Sequence, residues 1–400
     1  MTTFNMNYSL FHSSHNTRIL SIRIMVIVIL LVAVSGCSQA EASIVTKPSD
    51  RPNVLFIAID DLNDWVGVMG GHPEVKTPNI DRLAGRGVLF TRAYCSAPAC
   101  NPSRASLLTG LRPSTTGVYH NPHVWRAALP DAVTLPQHFM AHGYHVVGGG
   151  KIFHSDYHDP QSWHEYFHEP KQEPPPNWPL HGINNLVDRW WFNDWGPLDI
   201  PDEDMVDMKT SNWAVSELNK KHQKPFFLAA GFHRPHLPWY APQKYFDLYP
   251  LDKISMPAVK ENDLDDLPKT AIGWAAPWKH HDKIVKADHW KKAVQAYLAC
   301  ITFVDVCVGK LVEALDKSPY ADNTIIVLWS DHGYHLGEKQ HWGKFALWEK
   351  AVRAPMIMVV PGLTEPKQQC DRPVTLLNIY PTLIDLCNLS AKNELEGVSL

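Results

Sequence analysis

Short apolar runs recur along the chain and predict the strands of a buried sheet. The runs lie at residues 54–59, 145–147, 226–230, 325–329 and 356–360. Apolar segments this short are typical of parallel strands, which are covered on both faces. Helical patterns lie between them, at residues 79–86, 103–109, 135–142, 210–221 and 293–315. Strands that alternate with helices predict an α/β fold, in which helices sandwich a mostly parallel central sheet through right-handed crossovers.

Side chains suited to catalysis follow four of these runs. In chain order they are Asp60 and Asp61, Lys151 and His154, His233 and His236, and Asp331 and His332. Parallel strands end at a common edge of the sheet, and ligands of such folds bind beyond the carboxyl ends of the strands. The pattern therefore predicts that these side chains converge on one active site.

Three of these side chains are carboxylates, and two of them are neighbours in the sequence. Asp60 and Asp61 need a cation or a proton between them, because like charges this close repel each other. With Asp331 they offer three hard oxygen ligands, which suit a divalent ion, and a large ligand shell favours Ca²⁺ over Mg²⁺. The alternative is that each aspartate caps a helix or a turn.

A Cys-Asn-Pro-Ser-Arg segment at residues 100–104 opens one of the predicted helices. Pro102 suits the first turn of a helix, where a missing N–H group costs nothing. Cys100 would then face the free N–H groups and the positive end of the helix dipole, which is an anion-binding position, with Arg104 one turn further on. The alternative is a structural or disulfide-bonded cysteine in front of an ordinary helix.

This segment, with Leu-Leu-Thr-Gly at residues 107–110, resembles the signature of the sulfatases. The resemblance extends over residues 51–400 and is strongest to the iduronate-2-sulfatase-like branch. Matching blocks lie at residues 150–154, 231–238, 330–333, 336–338 and 343–344. The resemblance implies an alkaline-phosphatase/sulfatase-like fold for this domain. It also implies a smaller C-terminal subdomain, which we expect to be truncated here because the sequence stops at Leu400.

By this resemblance, Cys100 is oxidised to formylglycine by a formylglycine-generating maturation enzyme. The ligands of a Ca²⁺ ion, with Mg²⁺ less favoured, would be Asp60, Asp61, Asp331, His332 and the modified Cys100. The hydrated aldehyde would attack the sulfur atom of a sulfate ester. The negative charge of the transferred group would be met by the metal ion together with Arg104, Lys151 and Lys344.

Two histidines complete the mechanism that the resemblance implies. His236 would protonate the leaving oxygen, with His233 as the competing candidate. His154 would take the proton from the second hydroxyl group of the hydrated aldehyde. The activity would be the hydrolysis of sulfate monoesters on sugars, from glycosaminoglycans or algal-type polysaccharides.

Two other functions remain open, and one class of partner is disfavoured. The alternatives are a phosphomonoester or phosphonate hydrolase of the same superfamily, and a carbohydrate-binding lipoprotein whose cysteine is never matured. A net charge of −4 gives no support for a nucleic-acid partner, because a nucleic-acid-binding surface would be basic.

The N-terminus has the pattern of an export signal. Arg18 and Arg23 precede an apolar run that is too short for a comfortable transmembrane helix. A Val-Ser-Gly-Cys sequence ending at Cys37 resembles a bacterial lipobox, in which the cysteine is lipidated. We interpret residues 1–37 as a signal peptide with a lipobox, and residues 38–50 as a polar tether. The protein would then be exported, and periplasmic or anchored to the membrane; a plain signal peptide is the alternative.

The predicted domain contains an irregular insert at residues 155–204. The insert is rich in proline and tryptophan, and because long irregular segments often serve as lids, it is a candidate substrate lid. Its tryptophans would either stack on sugar rings or pack onto the core.

Cys300 and Cys307 lie about 10 Å apart on one predicted helix, beyond disulfide reach, and are expected to be core thiols. Cys370 is a candidate disulfide partner of Cys387.

Overall fold

Eight strands form the central sheet of the computed structural model, which describes residues 51–154, 158–168, 194–275 and 280–400. The predicted signal peptide and tether, and more than half of the predicted insert, lie outside the described residues. In chain order the strands are β1 (Asn53–Ile59), β2 (Val88–Phe90), β3 (Ala93–Tyr94), β4 (His145–Gly150), β5 (Glu165–Phe167), β6 (Trp195–Leu198), β7 (Phe226–Phe232), β8 (Trp239–Pro242), β9 (Thr324–Ser330), β10 (His335–Leu336), β11 (Trp342–Gly343), β12 (Met356–Val359), β13 (Gln368–Cys370) and β14 (Val374–Thr375).

The central sheet has the strand order β13-β2-β12-β9-β1-β7-β4-β5. The consecutive strands β9, β1, β7, β4 and β5 run parallel to one another, as predicted. Three further pairs, β10 with β11, β14 with β3 and β6 with β8, form small two-stranded sheets. The mostly parallel α/β fold is therefore confirmed, and its carboxyl edge is where β1, β4, β7 and β9 end.

Strand β12 differs from the prediction, because it runs antiparallel to both β9 and β2. The chain leaves β9 at Ser330 and comes back beside the end of the same strand at Pro355, whose carbonyl accepts from the Ser330 N–H group at 3.0 Å. Everything between these two residues is an excursion at the carboxyl edge. A chain that re-enters the sheet from the edge it left must run in the opposite direction.

All five predicted helices form, with starts and ends that differ by up to four residues. In chain order the helices are α1 (Pro78–Ala84), α2 (Cys100–Thr109), α3 (Pro113–Thr116), α4 (Trp125–Ala128), α5 (Leu135–Ala141), α6 (Val206–Leu218), α7 (Gln243–Asp247), α8 (Lys269–Ala275), α9 (His280–Lys286), α10 (Trp290–Asp316), α11 (Glu349–Val352) and α12 (Ile379–Leu386). Short 3₁₀ helices lie at Gly67–Met69, Pro160–Ser162, Asp202–Asp204, Leu251–Lys253, Ala321–Asn323, Glu338–Gln340 and Leu376–Asn378.

The side chains of β1 alternate between two apolar cores, one on each face of the sheet. Leu55 and Ile57 pack in the core that contains α1, α6 and α10, whereas Val54 and Phe56 pack in the core that contains α2, α5 and α12. A strand covered on both faces has no polar side to show, which explains its unbroken apolar sequence. The predicted sandwich of helices around the sheet is confirmed.

The described cysteines are all free thiols. Cys300 and Cys307 are fully buried in α10, as predicted, and Cys370 and Cys387 are not paired with each other. The described part of the insert contains β5 and β6 and is therefore not irregular throughout. In the parts of the chain that the structure describes, no helix is long and apolar enough to cross a bilayer.

Candidate active site

The turn after β1 brings two neighbouring carboxylates into one site. Consecutive side chains of a strand point to opposite faces, so Asp60 and Asp61 would diverge if the strand continued. Asp61 instead has a φ of 60°, in the left-handed region that aspartate tolerates better than most residues. Its N–H group donates to Asp331 Oδ1 at 3.1 Å, and its carbonyl accepts from the Tyr297 hydroxyl at 2.7 Å. These contacts hold the turn, and both carboxylates are buried.

Helix α2 places Cys100 beside these carboxylates. The helix begins at Cys100 itself rather than at residue 103, with Ala99 in an extended conformation as its N-cap. The Cys100 Sγ atom lies 2.8 Å from Lys344 Nζ. It is also 3.5 Å from His332 Nε2 and 3.8 Å from Asp61 Oδ1. The predicted nucleophile position and the predicted metal ligands therefore meet at the start of α2.

Arg104 holds two of the three carboxylates. Its Nε atom donates to Asp331 Oδ2 at 2.9 Å, and one Nη atom donates to Asp60 Oδ1 at 3.1 Å. The other Nη atom donates to the carbonyl groups of Lys151 and Ile152. The guanidinium group is fully buried, and its Nε atom and both Nη atoms donate to groups of the protein. Arg104 therefore orients the two carboxylates. The role that the resemblance implies, contact with the substrate anion, stays a prediction.

Lys151 and Lys344 complete the charge balance of the site. Lys151 Nζ pairs with Asp60 Oδ2, and Lys344 Nζ lies 2.5 Å from Asp61 Oδ1. Burial opposes the ionisation of Asp60, but Lys151 and the other cations around it hold the pKa of this carboxyl well below its usual range. Burial and Asp60 also oppose ionisation of the Cys100 thiol. The two lysines outweigh them and lower the pKa of Cys100 to about 7.

The backbone around Lys344 aims its side chain into the site. Gly343, the last residue of β11, has a φ of 102°, and Phe345 has a φ of 68°. A positive φ at a bulky residue costs about 1–3 kcal/mol and persists only where the surroundings enforce it. Here the Phe345 N–H group donates to the carbonyl of Pro98 at 3.0 Å, just before α2. The loop that carries the lysine is thus tied to the segment that carries Cys100.

The charged cluster has the donor set and the size that a divalent ion requires. One ligand atom from each of five residues lies within 4.8 Å of the others; the five are Asp60, Asp61, Cys100, Asp331 and His332. Ca²⁺–oxygen distances of 2.3–2.6 Å allow two ligands of one ion to lie up to about 5 Å apart. His332 Nδ1 donates to the Gly333 carbonyl at 2.9 Å, which leaves Nε2 as the nitrogen that faces the cluster. The predicted metal ligands therefore fit around a single ion.

His236 lies at the open side of the cluster. Its Nε2 atom is 3.9 Å from Asp61 Oδ2, and its side chain is 25% exposed, whereas that of Asp61 is 2% exposed. Its Nδ1 atom lies 2.5 Å from the Leu237 carbonyl, and because a carbonyl only accepts, Nδ1 carries the hydrogen. The competing candidate His233 interacts electrostatically with Asp207. The contact with the cluster favours His236.

His154 is the second histidine predicted for the site. Burial, and next the positive charge of Lys151, lower the pKa of His154 to about 3. The imidazole is therefore neutral near pH 7.

Comparisons with known proteins agree with this geometry. The sequence model of the family described as Sulfatase matches residues 52–389. The chain belongs to the sulfatase family. A protein named Sulfatase from Formosa agariphila is 42% identical over 387 residues, which cover 93% of this chain and 76% of that protein. Human iduronate 2-sulfatase is 32% identical over 410 residues, which cover 91% of this chain and 73% of that protein.

Solved structures share the fold of this sulfatase. A 2-O GAG sulfatase matches 88% of the chain, and 73% of its own, with a TM-score of 0.67 and 24% identity. A phosphonate monoester hydrolase of Agrobacterium radiobacter also matches 88% of the chain, and 76% of its own, with a TM-score of 0.70 and 23% identity. At these identities the likeness shows the fold alone, and proteins with different named activities share it. The sequence shows membership of the sulfatase family, which identifies the protein as a sulfate-ester hydrolase and implies a metal ion and formylglycine.

Two residues that support the site, Tyr297 and Asp207, are not predicted from the sequence. The hydroxyl of Tyr297 accepts from the Asn63 N–H group at 3.0 Å and donates to the Asp61 carbonyl, so it holds both ends of the turn after β1. Its only signal in the sequence is a tyrosine within the mostly apolar stretch of residues 296–304 in a predicted helix. Asp207 accepts two backbone N–H groups of the loop that carries His236. It precedes the predicted helix start at residue 210, whereas α6 begins at Val206.

Gly231 lies where β7 passes Lys151, and we predict that a side chain there disables the enzyme. A Cβ atom at Gly231 would lie 2.6 Å from the Lys151 nitrogen and would overlap the Lys151 carbonyl group. Gly231→Ala should displace Lys151 from Asp60 and reduce kcat by ~100-fold, as expected for a catalytic group moved by about 1 Å. The overpacking should cost ~1–3 kcal/mol of stability, measured by thermal unfolding. Gly273→Ala is the control, because its new Cβ atom meets nothing within 4 Å, and its turnover should not change. Wild-type turnover in Gly231→Ala would contradict the prediction.

Proposed function

We propose that this sulfatase removes sulfate groups from terminal sugars of glycosaminoglycan or algal-type polysaccharide fragments. The observation that carries the proposal is the buried cluster in which Cys100, at the start of α2, lies among three carboxylates and three cations. The similarity to human iduronate 2-sulfatase supports a sugar substrate. The structural likeness to a 2-O GAG sulfatase is consistent with it at the level of the fold.

The buried charges suit the transfer of a sulfate group. Formylglycine at the position of Cys100 would supply a hydrated aldehyde as the nucleophile, and a divalent ion held by Asp60, Asp61, Asp331 and His332 would lower the pKa of its hydroxyl groups. Lys151 and Lys344 provide the positive charge that faces the transferred group. Arg104 keeps two of the metal-binding carboxylates in the orientation that the ion requires.

The two histidines move protons on the open side of the cluster. His236 donates a proton from Nε2 to the leaving sugar oxygen, because that nitrogen faces the cluster while Nδ1 is held by the Leu237 carbonyl. By the resemblance to the family, His154 accepts the proton that must leave before sulfate is released, for which its pKa must rise as the charges around it change during the reaction. No water attacks the covalent intermediate in this scheme, because loss of this proton expels sulfate and restores the aldehyde; water is consumed when it hydrates the aldehyde again.

The resident ion is Ca²⁺ in this proposal, and its removal should abolish activity. Asp61→Asn removes one negative charge from the cluster and the carboxylate partner of Lys344. We expect this variant to lose bound calcium, measured by elemental analysis, and nearly all turnover. The matched control is Asp316→Asn, which changes a half-exposed ion pair with Arg86 and should keep both. Full turnover after exhaustive chelation would rule out a metal-dependent mechanism.

We expect a strong preference for sulfate esters over phosphate esters. The three carboxylates and three cationic side chains of the cluster balance, and the nucleophile loses a proton before it attacks, so a divalent ion would leave one net positive charge, which suits a monoanion. A phosphate monoester approaches two negative charges near pH 7, since its second pKa is about 6. Hydrolysis of 4-nitrophenyl sulfate should be at least ~10-fold faster than that of the phosphate, which corresponds to a barrier difference of ~1.4 kcal/mol.

The same assay distinguishes the alternative functions. Cys100→Ala should be inactive, and mass spectrometry of the wild-type peptide should show an aldehyde or its hydrate in place of the thiol. Equal or faster hydrolysis of the phosphate ester would favour a phosphoesterase. An intact thiol in a protein that binds sugars without turnover would favour a carbohydrate-binding protein.

We also propose that the protein is exported and anchored through a lipid on Cys37. Arg18, Arg23 and the apolar run before the Val-Ser-Gly-Cys sequence support this proposal. Cys37→Ala should move the protein from the membrane fraction to the soluble fraction or block its processing. The control Cys370→Ala, which changes a half-buried thiol of the domain, should leave the distribution unchanged. Recovery of wild-type protein with an unmodified, internal Cys37 would contradict the proposal.

A further inference from the structure

A buried carboxylate holds the loop that leads from β7 to His236. Asp207 lies in the first turn of α6 and is 2% exposed. Its two oxygens accept the backbone N–H groups of His233 at 2.7 Å and Arg234 at 2.9 Å. Hydrogen bonds to an ionised acceptor are about twice as strong as neutral ones, and the helix dipole favours a negative charge at this end of α6. The first two residues after β7 are thus fixed to α6.

The guanidinium group of Arg234 closes the same loop from the other side. Arg234 is 8% exposed, and its Nε atom donates to the carbonyl of Tyr240 in β8 at 2.9 Å. One Nη atom donates to the carbonyl of His236 at 3.3 Å. A single side chain therefore joins the start of the loop, the backbone of His236 and the strand that follows.

The backbone contacts continue to His236 itself. The His236 N–H group donates to the His233 carbonyl at 2.7 Å, and His233 is the residue whose own N–H group is held by Asp207. The ring of His236 is fixed through Nδ1 to the carbonyl of Leu237, the next residue. The ring therefore follows the backbone of the loop, and its Nε2 atom faces Asp61 only while the loop keeps this shape.

We propose that Asp207 and Arg234 are positioning residues for the proton transfer, because together they hold His236 with Nε2 towards the leaving oxygen. The inference rests on the proposed role of His236 as the proton donor. Neither residue is among the carboxylates and cations of the charged cluster. Their loss should therefore affect the protonation of the leaving group and not the attack on sulfur.

The leaving group of the substrate provides the test. Esters of weakly acidic alcohols or phenols need a proton on the leaving oxygen, whereas 4-nitrophenolate leaves without one. Purified, full-length Asp207→Asn and Arg234→Gln are assayed with phenyl sulfate and with 4-nitrophenyl sulfate. We expect kcat for phenyl sulfate to fall by ~10–100-fold, within the range of general acid catalysis, with a much smaller change in KM. The loss of kcat for 4-nitrophenyl sulfate should be far smaller.

A double-mutant comparison and a matched control separate positioning from general destabilisation. His236→Ala should show the same dependence on the leaving group, and adding Asp207→Asn to it should cost little more, because both changes remove one function. Asp305 is a buried carboxylate of the same kind, which accepts the backbone N–H groups of Asn79 and, at 2.7 Å, Ile80 in α1. Asp305→Asn should lower the temperature of unfolding without changing the ratio of the two rates.

The outcomes separate the positioning role of Asp207 and Arg234 from the proposed role of His236 as the proton donor. If His236→Ala discriminates between the two esters but Asp207→Asn and Arg234→Gln lose activity equally on both, the positioning inference is overturned while the role of His236 stands. If His236→Ala does not discriminate, the proposed proton step fails and the inference fails with it. Should Asp207→Asn not accumulate as folded protein, Arg234→Gln alone carries the test, since it keeps most of the side-chain volume and one amide donor.

Discussion

The structure depends on the neutralisation of three carboxylates in a place that is almost closed to solvent. The side chains of Asp60, Asp61 and Asp331 are each at most 2% exposed and would repel one another or take up protons without cations beside them. The cations come from three separate parts of the chain: α2, the end of β4 and the loop after β11. Removing one partner of a buried pair costs ~3–5 kcal/mol. The pairs that prepare the site therefore also bind these three segments to one another.

Backbone conformations that cost energy occur where the chain must aim these charges. Asp61 has a φ of 60°, which turns its side chain to the same site as that of Asp60. Gly343 and Phe345, on either side of Lys344, have φ values of 102° and 68°. Such conformations persist only where other contacts enforce them, and here a tyrosine hydroxyl and a proline carbonyl do so. The turns with positive φ bring Asp61 and Lys344 together, and the ion pair between these two side chains in turn stabilises the turns.

Residue order predicts which side chains reach the carboxyl edge, but not the contacts that hold them there. Strands β1, β7 and β9 are predictable because each is an apolar run covered on both faces, and the polar residues that follow them form the site. The direction of β12 is not predictable from its pattern, because alternation and apolarity carry no sense of direction. The role of Asp207 is missed for a related reason: polar residues 207 and 209 interrupt the apolar pattern at the start of α6, and its partners lie 26 and 27 positions away. Arg104 is found by motif, but its pairing with two carboxylates depends on the packing of α2 against β1 and β9.

The proposed proton donor, His236, and the charged cluster are held by different parts of the fold, and this separation has a chemical reason. Within the cluster every cation is matched by a carboxylate, and a histidine there is held through both ring nitrogens. His332 is the example, since its Nδ1 atom contacts the Gly333 carbonyl and its Nε2 atom lies 3.5 Å from Cys100 Sγ. His236 instead stands on a loop whose supports, Asp207 and Arg234, lie outside the balance of the cluster. Its Nε2 atom can therefore face a leaving group without disturbing the charges that face the sulfate. Because the leaving sugar differs between substrates while the sulfate does not, a fold built this way can change the loop for a new sugar and keep the cluster.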